Sequence, residues 1–308
     1  MSTKLLGLDR RRKHSTRTPN REVLTEHYSR EDVLREIVKY CSGRWCAFLI
    51  EDVEGSKVIR YDRRDFRPIV LDSVEKFRSY LNILHVRTVY GTVHFYRKIE
   101  RFEDVKDLTN IIASEPVWDI DNSILEWRKT VQAAKIVYDF LEGEGVRNSV
   151  YIKWSGEGIH VHLNRNSISE EVYKKIHPLD AAYSVVEYVK RKVEEKIHRL
   201  NCASLKVENK IDPQRLFTAP LTFHKTLNVV TVCIKPENLD GFTIEDVEPR
   251  NYVHYYDWDK FVRGEADQLV FKAYEAVGPY PKEYVARRRK RRRLDEEIKR
   301  WQKLYDIG

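Results

Sequence analysis

Two short apolar runs joined by a glycine-containing turn constrain the fold of this chain more than any other feature. Residues 149–154 and 159–163 are β-like, and Ser-Gly-Glu-Gly at 155–158 separates them. Glycine tolerates the backbone conformations of tight turns, so this segment predicts an antiparallel hairpin. Because side chains alternate along a strand, His160 and His162 share one face of the second run.

A further strand is predicted at residues 117–121, Val-Trp-Asp-Ile-Asp. The same alternation places Asp119 and Asp121 on one side and Trp118 and Ile120 on the other. With no Lys or Arg nearby in the sequence, the two carboxylates repel each other unless a cation lies between them. Hard divalent cations prefer such oxygen ligands, so the pair predicts a metal site. Two solvated aspartates at a strand edge are the alternative interpretation.

The spacing of apolar residues predicts the surrounding elements. Ser123 and Glu126 form a candidate capping box ahead of a helix whose apolar stripe runs from Val131 to Leu141. Further helices are predicted at 29–40, 71–84 and 178–200, and further strands at 46–50, 58–61, 86–90, 94–96 and 229–234. This order favours an α/β fold with a mixed or antiparallel sheet and helices packed behind it.

The 155–158 turn suits an anion. Its glycines let backbone N–H groups approach a phosphate closely, Ser155 adds a hydroxyl donor, and the His160 imidazole can contact a phosphate oxygen. A plain hairpin is the alternative. Zinc binding by His160 and His162 is disfavoured because no third ligand of matching type lies near them in the sequence.

Positive charge is concentrated at the two ends of the chain. Lys and Arg number 56 against 48 Asp and Glu, a formal charge of +8. Residues 1–30 carry +5, residues 281–308 carry +6, and the body between them carries −3. Seven consecutive basic residues suit the phosphates of a nucleic acid, although such a run is also typical of a localisation signal: Arg287, Arg288, Arg289, Lys290, Arg291, Arg292 and Arg293.

Cysteine content and hydropathy indicate the compartment. Cys41, Cys46, Cys202 and Cys233 are too few and too scattered for a disulfide framework, which predicts free thiols in a reducing environment. No apolar run approaches the roughly 20 residues that span a bilayer. We therefore expect a cytoplasmic protein with no membrane partner.

The order of these motifs resembles the archaeo-eukaryotic primase superfamily, and within it the small catalytic subunit of archaeal DNA primase. The similarity covers most of residues 45–235. Residues 117–121 are similar to the first motif of the family, and Trp-Ser-Gly-Glu-Gly-Ile-His-Val-His-Leu at 154–163 is similar to the second. Lys-Ile-Asp-Pro-Gln-Arg-Leu-Phe-Thr-Ala-Pro-Leu-Thr-Phe-His-Lys-Thr at 210–226 resembles the third-motif region.

The resemblance implies template-directed nucleotidyl transfer by a two-metal mechanism, as in a DNA primase or primase-polymerase. Asp212 matches the third carboxylate and would hold two Mg²⁺ or Mn²⁺ ions together with Asp119 and Asp121. The residues implied to bind the nucleotide are Ser155, Gly156, Gly158, His160, Arg215, His224 and Lys225. The cysteine-rich zinc element of the family is missing from the sequence, so no zinc is expected.

The resemblance also implies partners and a division of the chain. Single-stranded or primed DNA and nucleoside triphosphates are the expected ligands, and a large primase subunit or another replication or repair protein is a further expected partner. We expect a flexible basic arm at 1–29, a catalytic domain at 30–280 and a basic helical tail at 281–308. A non-catalytic nucleic-acid-binding subunit and a metal-dependent nuclease are the alternatives. Three aspartates favour an enzyme, since a pure binder gains nothing from a cluster of like charges.

Overall fold

The computed structural model describes residues 21–52, 55–62 and 64–281. The chain divides into two compact units, residues 1–278 and 279–308. Nearly all of the second unit, including the basic run at 287–293, lies outside the described residues, as do residues 1–20.

The first unit is mixed α/β. Its helices are α1 (Arg21–Ser29), α2 (Glu31–Cys41), α3 (Val74–Leu81), α4 (Trp127–Gly143), α5 (Glu170–Tyr173), α6 (Pro178–His198) and α7 (Asp267–Val277). Its strands are β1 (Arg44–Asp52), β2 (Gly55–Ile59), β3 (Val86–Tyr96), β4 (Ile111–Ser114), β5 (Val117–Asp121), β6 (Val150–Trp154), β7 (Ile159–Leu163), β8 (Lys206–Asn209), β9 (Leu216–Thr218) and β10 (Val232–Ile234).

The strands form two antiparallel sheets. The first has the order β2-β1-β3-β4, and β9 also pairs with β3. The second has the order β10-β6-β7-β5-β8, so the predicted hairpin is its centre. The predicted α/β fold with antiparallel sheets and packed helices is therefore confirmed.

Helices α4 and α6 cover one face of the second sheet. Trp118, Ile120, Ile152 and Val161 point toward them and are fully buried, and the Trp118 indole N–H donates to the carbonyl of Val186 in α6 at 3.1 Å. The residues that alternate with them, including both predicted aspartates, face the other way. Burying the apolar half of each strand thus fixes the direction of its polar half.

The two strands predicted at 86–90 and 94–96 are one strand, β3. Gly91 lies between the two predicted strands. It is required by close packing, because a Cβ at this position would lie 2.9 Å from Arg44 Cδ and 3.1 Å from Tyr40 Cε1. A glycine inside a strand can mark such an approach as readily as a turn.

The flexible arm predicted for 1–29 is wrong for residues 21–29, which form α1. Two side chains of this helix are buried: His27 Nε2 donates to the carbonyl of Leu221 at 2.7 Å, and the Tyr28 hydroxyl donates to the carbonyl of Arg87 at 2.5 Å. The prediction relied on the basic composition of the whole segment and overlooked these two buried side chains.

The capping box predicted at Ser123 and Glu126 is also wrong. Ser123 makes no side-chain cap, because a 3₁₀ turn at Ile124–Glu126 precedes α4. Asn122 supplies the local hydrogen bonds instead, donating to Thr130 Oγ1 at 3.1 Å.

Candidate active site

The predicted alternation along β5 is confirmed. Asp119 is 7% exposed, Asp121 is exposed, and Trp118 and Ile120 are fully buried on the opposite face. The two carboxylates therefore occupy the polar face of the second sheet, at the end of β5.

Asp119 belongs to a row of polar residues that crosses this sheet. The strand register places it between Glu208 on β8 and His160 on β7, and His160 lies opposite Lys153 on β6. His160 Nε2 is 3.3 Å from Asp119 Oδ1, whereas His160 Nδ1 is buried with no hydrogen-bond partner among the described residues. Burial lowers the pKa of His160, and the neighbouring Asp119 only partly opposes this effect. The imidazole is therefore neutral, with its proton on Nε2 facing Asp119.

The expectation that the aspartate pair has no nearby basic residue is wrong. Lys210, directly after β8, places its Nζ 2.7 Å from Asp119 Oδ2, 2.6 Å from Asp121 Oδ2 and 3.1 Å from Glu208 Oε2. Burial alone would raise the pKa of Asp119, but His160 and Lys210 outweigh it and hold that pKa below its usual range. The ammonium group of Lys210 thus lies between the two carboxylates.

The hairpin turn lies over the end of β5. The backbone N–H and hydroxyl of Ser155 both donate to the carbonyl of Gly158, at 2.9 and 3.1 Å. A Cβ on Gly158 would lie 2.4 Å from the carbonyl oxygen of Ile120. Gly156 has φ +120°, and a Cβ there would lie 2.5 Å from the His224 ring. Both glycines are required, one by close approach and the other also by its backbone conformation.

A loop at 224–227 closes over this turn. His224 Nδ1 accepts the backbone N–H of Leu227 at 3.0 Å, which leaves the proton of the neutral ring on Nε2. Burial lowers the pKa of His224 to about 3. Lys225 is exposed, and its Nζ lies 3.8 Å from Glu157 Oε2. Buried Arg87 fixes the loop from below by donating to the carbonyls of His224 and Leu227.

Asp212 lies in a turn between β8 and β9. Its Oδ1 accepts the N–H of Gln214 at 2.8 Å, and its carbonyl accepts His94 Nε2 at 2.9 Å. Among the described residues, no three His, Cys, Asp or Glu side chains form a group that could hold a metal ion, so Asp212 does not join Asp119 and Asp121 in such a group.

Arg215 follows in the same turn and contacts Phe217. Its guanidinium carbon is 5.6 Å from the Phe217 ring centre, and the His160 ring is 4.7 Å from that ring on β9. Arg215 Nε is buried with no hydrogen-bond partner among the residues that the structure describes. The fold thus brings Arg215 and His160 to one aromatic side chain, although 55 positions separate them in sequence.

A buried charged network lies between the two sheets. Arg44 Nη2 is 2.6 Å from Glu115 Oε2, and both side chains are almost completely buried. The Tyr151 hydroxyl donates to Glu115 Oε1 at 2.8 Å, and His162 Nδ1 lies 3.3 Å from Glu115 Oε2 while its ring stacks on Tyr151. His162 is therefore a supporting residue of the sheet.

Sequence reasoning missed Lys153, Lys210 and Glu115. Lys153 is fully buried, donates to the carbonyl of Thr218 at 2.5 Å, and has its pKa lowered to about 7 by burial. Each of the three lies within four residues of a predicted motif. A signal for Lys153 was available in the sequence: strand alternation within the hairpin places it on the same face as His160. The prediction for that face considered metal-binding residues and should have included charged residues.

Two further predictions concern regions away from the site. All four cysteines are free, as expected. Within the described ranges, no helix is long and apolar enough to cross a membrane.

No protein-family model matches the sequence, and no curated protein matches it. Among solved structures, the chain is similar to the polymerase domain of Mycobacterium tuberculosis ligase D in complex with DNA, with a TM-score of 0.53 and 12% sequence identity. The similarity covers 86% of this chain and 91% of that chain. At this identity the likeness concerns the fold alone. The chain therefore shares the fold of this polymerase domain.

Proposed function

We propose that this chain is a template-directed nucleotidyltransferase of the primase-polymerase superfamily. The observation that carries the proposal is the position of Asp119 on a polymerase-domain fold, beside His160 and Asp121 and next to a glycine hairpin. Carboxylates adjoining a glycine turn suit a metal-bound triphosphate.

The residues present fit a divalent cation at one position. Asp119 and Asp121 already surround a positive charge with carboxylate oxygens, which are the ligands that Mg²⁺ and Mn²⁺ prefer. When bound, such ions neutralise phosphoryl oxygens and favour deprotonation of the attacking 3′-hydroxyl. Asp212 is proposed as the third ligand of a two-ion site, on the strength of its sequence position alone.

The nucleotide triphosphate is proposed to lie between the hairpin and Arg215. The buried, unpartnered Nε of Arg215 is a donor that suits a phosphate oxygen. The Nε2 proton of His224 and the Lys225 ammonium lie beside the same turn, each 3.8 Å from Glu157 Oε2. The backbone N–H groups of Gly156 and Gly158 are proposed as further donors. Ser155 donates its hydroxyl within the turn, so its proposed role is to hold the shape of the turn.

DNA is the proposed template, single-stranded or primed. The structural neighbour is a polymerase domain in complex with DNA, and the basic run at 287–293 offers sequence-independent phosphate contacts. A large primase subunit or another replication or repair protein remains a proposed partner.

A non-catalytic DNA-binding subunit is the second candidate, and Lys210 favours it. Its ammonium offsets part of the negative charge of Asp119 and Asp121, so the two carboxylates lie close together without a metal ion. This weakens the argument that a binder gains nothing from clustered carboxylates.

Labelled single-stranded and primed DNA, incubated with Mn²⁺ in the presence and absence of nucleotides, separates the candidates. We expect the DNA to lengthen only when nucleotides are present, in the wild type and in the matched control Asp139→Asn on the exposed side of α4. Asp121→Asn should bind DNA without extending it. Shortening without nucleotides would indicate a nuclease, and binding without any change of length would indicate an accessory subunit.

A further inference from the structure

Lys210 is the charged group nearest to the aspartate pair that the proposed reaction does not use. Its ammonium contacts one oxygen each of Asp119, Asp121 and Glu208, at 2.7, 2.6 and 3.1 Å. A lysine side chain carries a positive charge at physiological pH, so an ammonium group lies between the three carboxylates.

This ammonium and a divalent cation require the same oxygens. Metal–carboxylate distances are about 2.0–2.6 Å, so an ion bound to Asp119 Oδ2 and Asp121 Oδ2 would overlap the present position of Nζ. The charges also repel each other at such separation. The two cations cannot occupy the pair together.

The lysine side chain is able to leave. Lys210 follows the last residue of β8, so it lies outside the ladder that holds that strand to β5. Its side chain is 24% exposed and has a flexible four-carbon stem. Withdrawal of Nζ to solvent requires rotation of the side chain and no break in the sheet.

We infer that Lys210 is a built-in competitor for the cation site, whose ammonium must withdraw from Asp119 and Asp121 before a divalent ion binds there. This inference rests on the proposed function for the identity of the ion. Lys210 stabilises the ion-free pair and sets the metal concentration at which the site fills. It is a positioning residue.

Mn²⁺ binding, measured by electron paramagnetic resonance without DNA or nucleotide, tests the inference directly. Lys210→Met removes two charge-assisted hydrogen bonds that the ion must otherwise break, so affinity should rise by at least about tenfold. Lys206→Met is the matched control, because Lys206 lies on β8 opposite Asp121, is exposed and forms no ion pair with either aspartate. It should change affinity by less than about threefold, as expected for loss of an exposed charge that does not contact the carboxylates. Equal affinity of Lys210→Met and the wild type would overturn the inference.

Labelling of the wild type gives a second test that does not depend on the folding of a variant. Acetylation of lysines, followed by mass spectrometry, should modify Lys210 slowly in metal-free protein and several-fold faster with saturating Mn²⁺, whereas Lys206 should be unaffected. Unchanged labelling of Lys210 while Mn²⁺ binds would overturn the inference. Nucleotide incorporation is assayed separately, so displacement of Lys210 without polymerisation would refute the proposed function and leave the competition intact.

Discussion

Glu115→Gln tests whether the network between the two sheets supports the site. The side chain of Glu115 is 3% exposed and is held by Arg44 at 2.6 Å, Tyr151 at 2.8 Å and His162 at 3.3 Å. Glutamine keeps the shape of the side chain but removes its negative charge. The Arg44 guanidinium, 2% exposed, is then left without its charged partner.

Glu115→Gln is expected to lower the free energy of unfolding by several kcal/mol. Breaking a buried ion pair by removing one partner destabilises a protein by about 3–5 kcal/mol, because the other charge stays buried. For a chain of this size, each kcal/mol corresponds to about 2–4 °C, so the melting temperature should fall by about 10 °C. Glu237→Gln is the control, since exposed Glu237 faces Lys235 at 3.8 Å and its loss should cost at most about 0.5 kcal/mol.

Thermal unfolding followed by circular dichroism measures this loss of stability. Its dependence on pH shows whether the charged form of Glu115 stabilises the fold. Burial raises the pKa of Glu115, but the charge of Arg44 and the contact with His162 outweigh it, so folding lowers that pKa. A lowered pKa stabilises the fold fully above the unfolded value, about 4.3, and progressively less as the pH falls below it. The difference between the wild type and Glu115→Gln should therefore narrow below pH 4. If Glu115→Gln had the same melting temperature as the Glu237→Gln control at pH 7, the proposed role of the network would be refuted.

Three further predictions address the hairpin, the third aspartate and the tail. Gly158→Ala should cost about 1–3 kcal/mol in urea unfolding, because its Cβ would meet the Ile120 carbonyl at 2.4 Å, whereas Gly143→Ala, with open space, should not destabilise. Asp212→Asn keeps the turn hydrogen bond but should lower incorporation at least about 10–100-fold, the range that even supporting residues of metal sites reach; an unchanged rate would limit Asp212 to the turn. Truncation after residue 285 should weaken binding to single-stranded DNA and flatten its salt dependence in fluorescence anisotropy, and an unaltered slope would place the DNA path on the body.

The local pattern predicted most of the elements that carry the site. Residues 117–121 form a strand, and residues 155–158 form the turn of a hairpin, as the sequence predicts. Because Trp118 and Ile120 are buried on one face of the strand, the aspartates must point to the other face. Such patterns act over a few residues, which is the range that a single sequence reveals.

Contacts between distant segments escaped prediction. Lys210 is 89 residues from Asp121, and only the pairing of β8 with β5 brings them together. The prediction divided β3 in two around Gly91, because the Arg44 and Tyr40 side chains that require a glycine inside this strand come from elsewhere in the chain. In both cases the cause is a tertiary contact that leaves no local pattern.

Single-nucleotide incorporation on primed templates tests the central claim most directly. Four templates that differ only in the first unpaired base are each offered one nucleotide at a time with Mn²⁺. The account predicts that the wild type adds the complementary nucleotide on each template, and that Asp119→Asn binds the same DNA but adds none. Addition by Asp119→Asn at the wild-type rate, or addition by the wild type that ignores the template base, would contradict it.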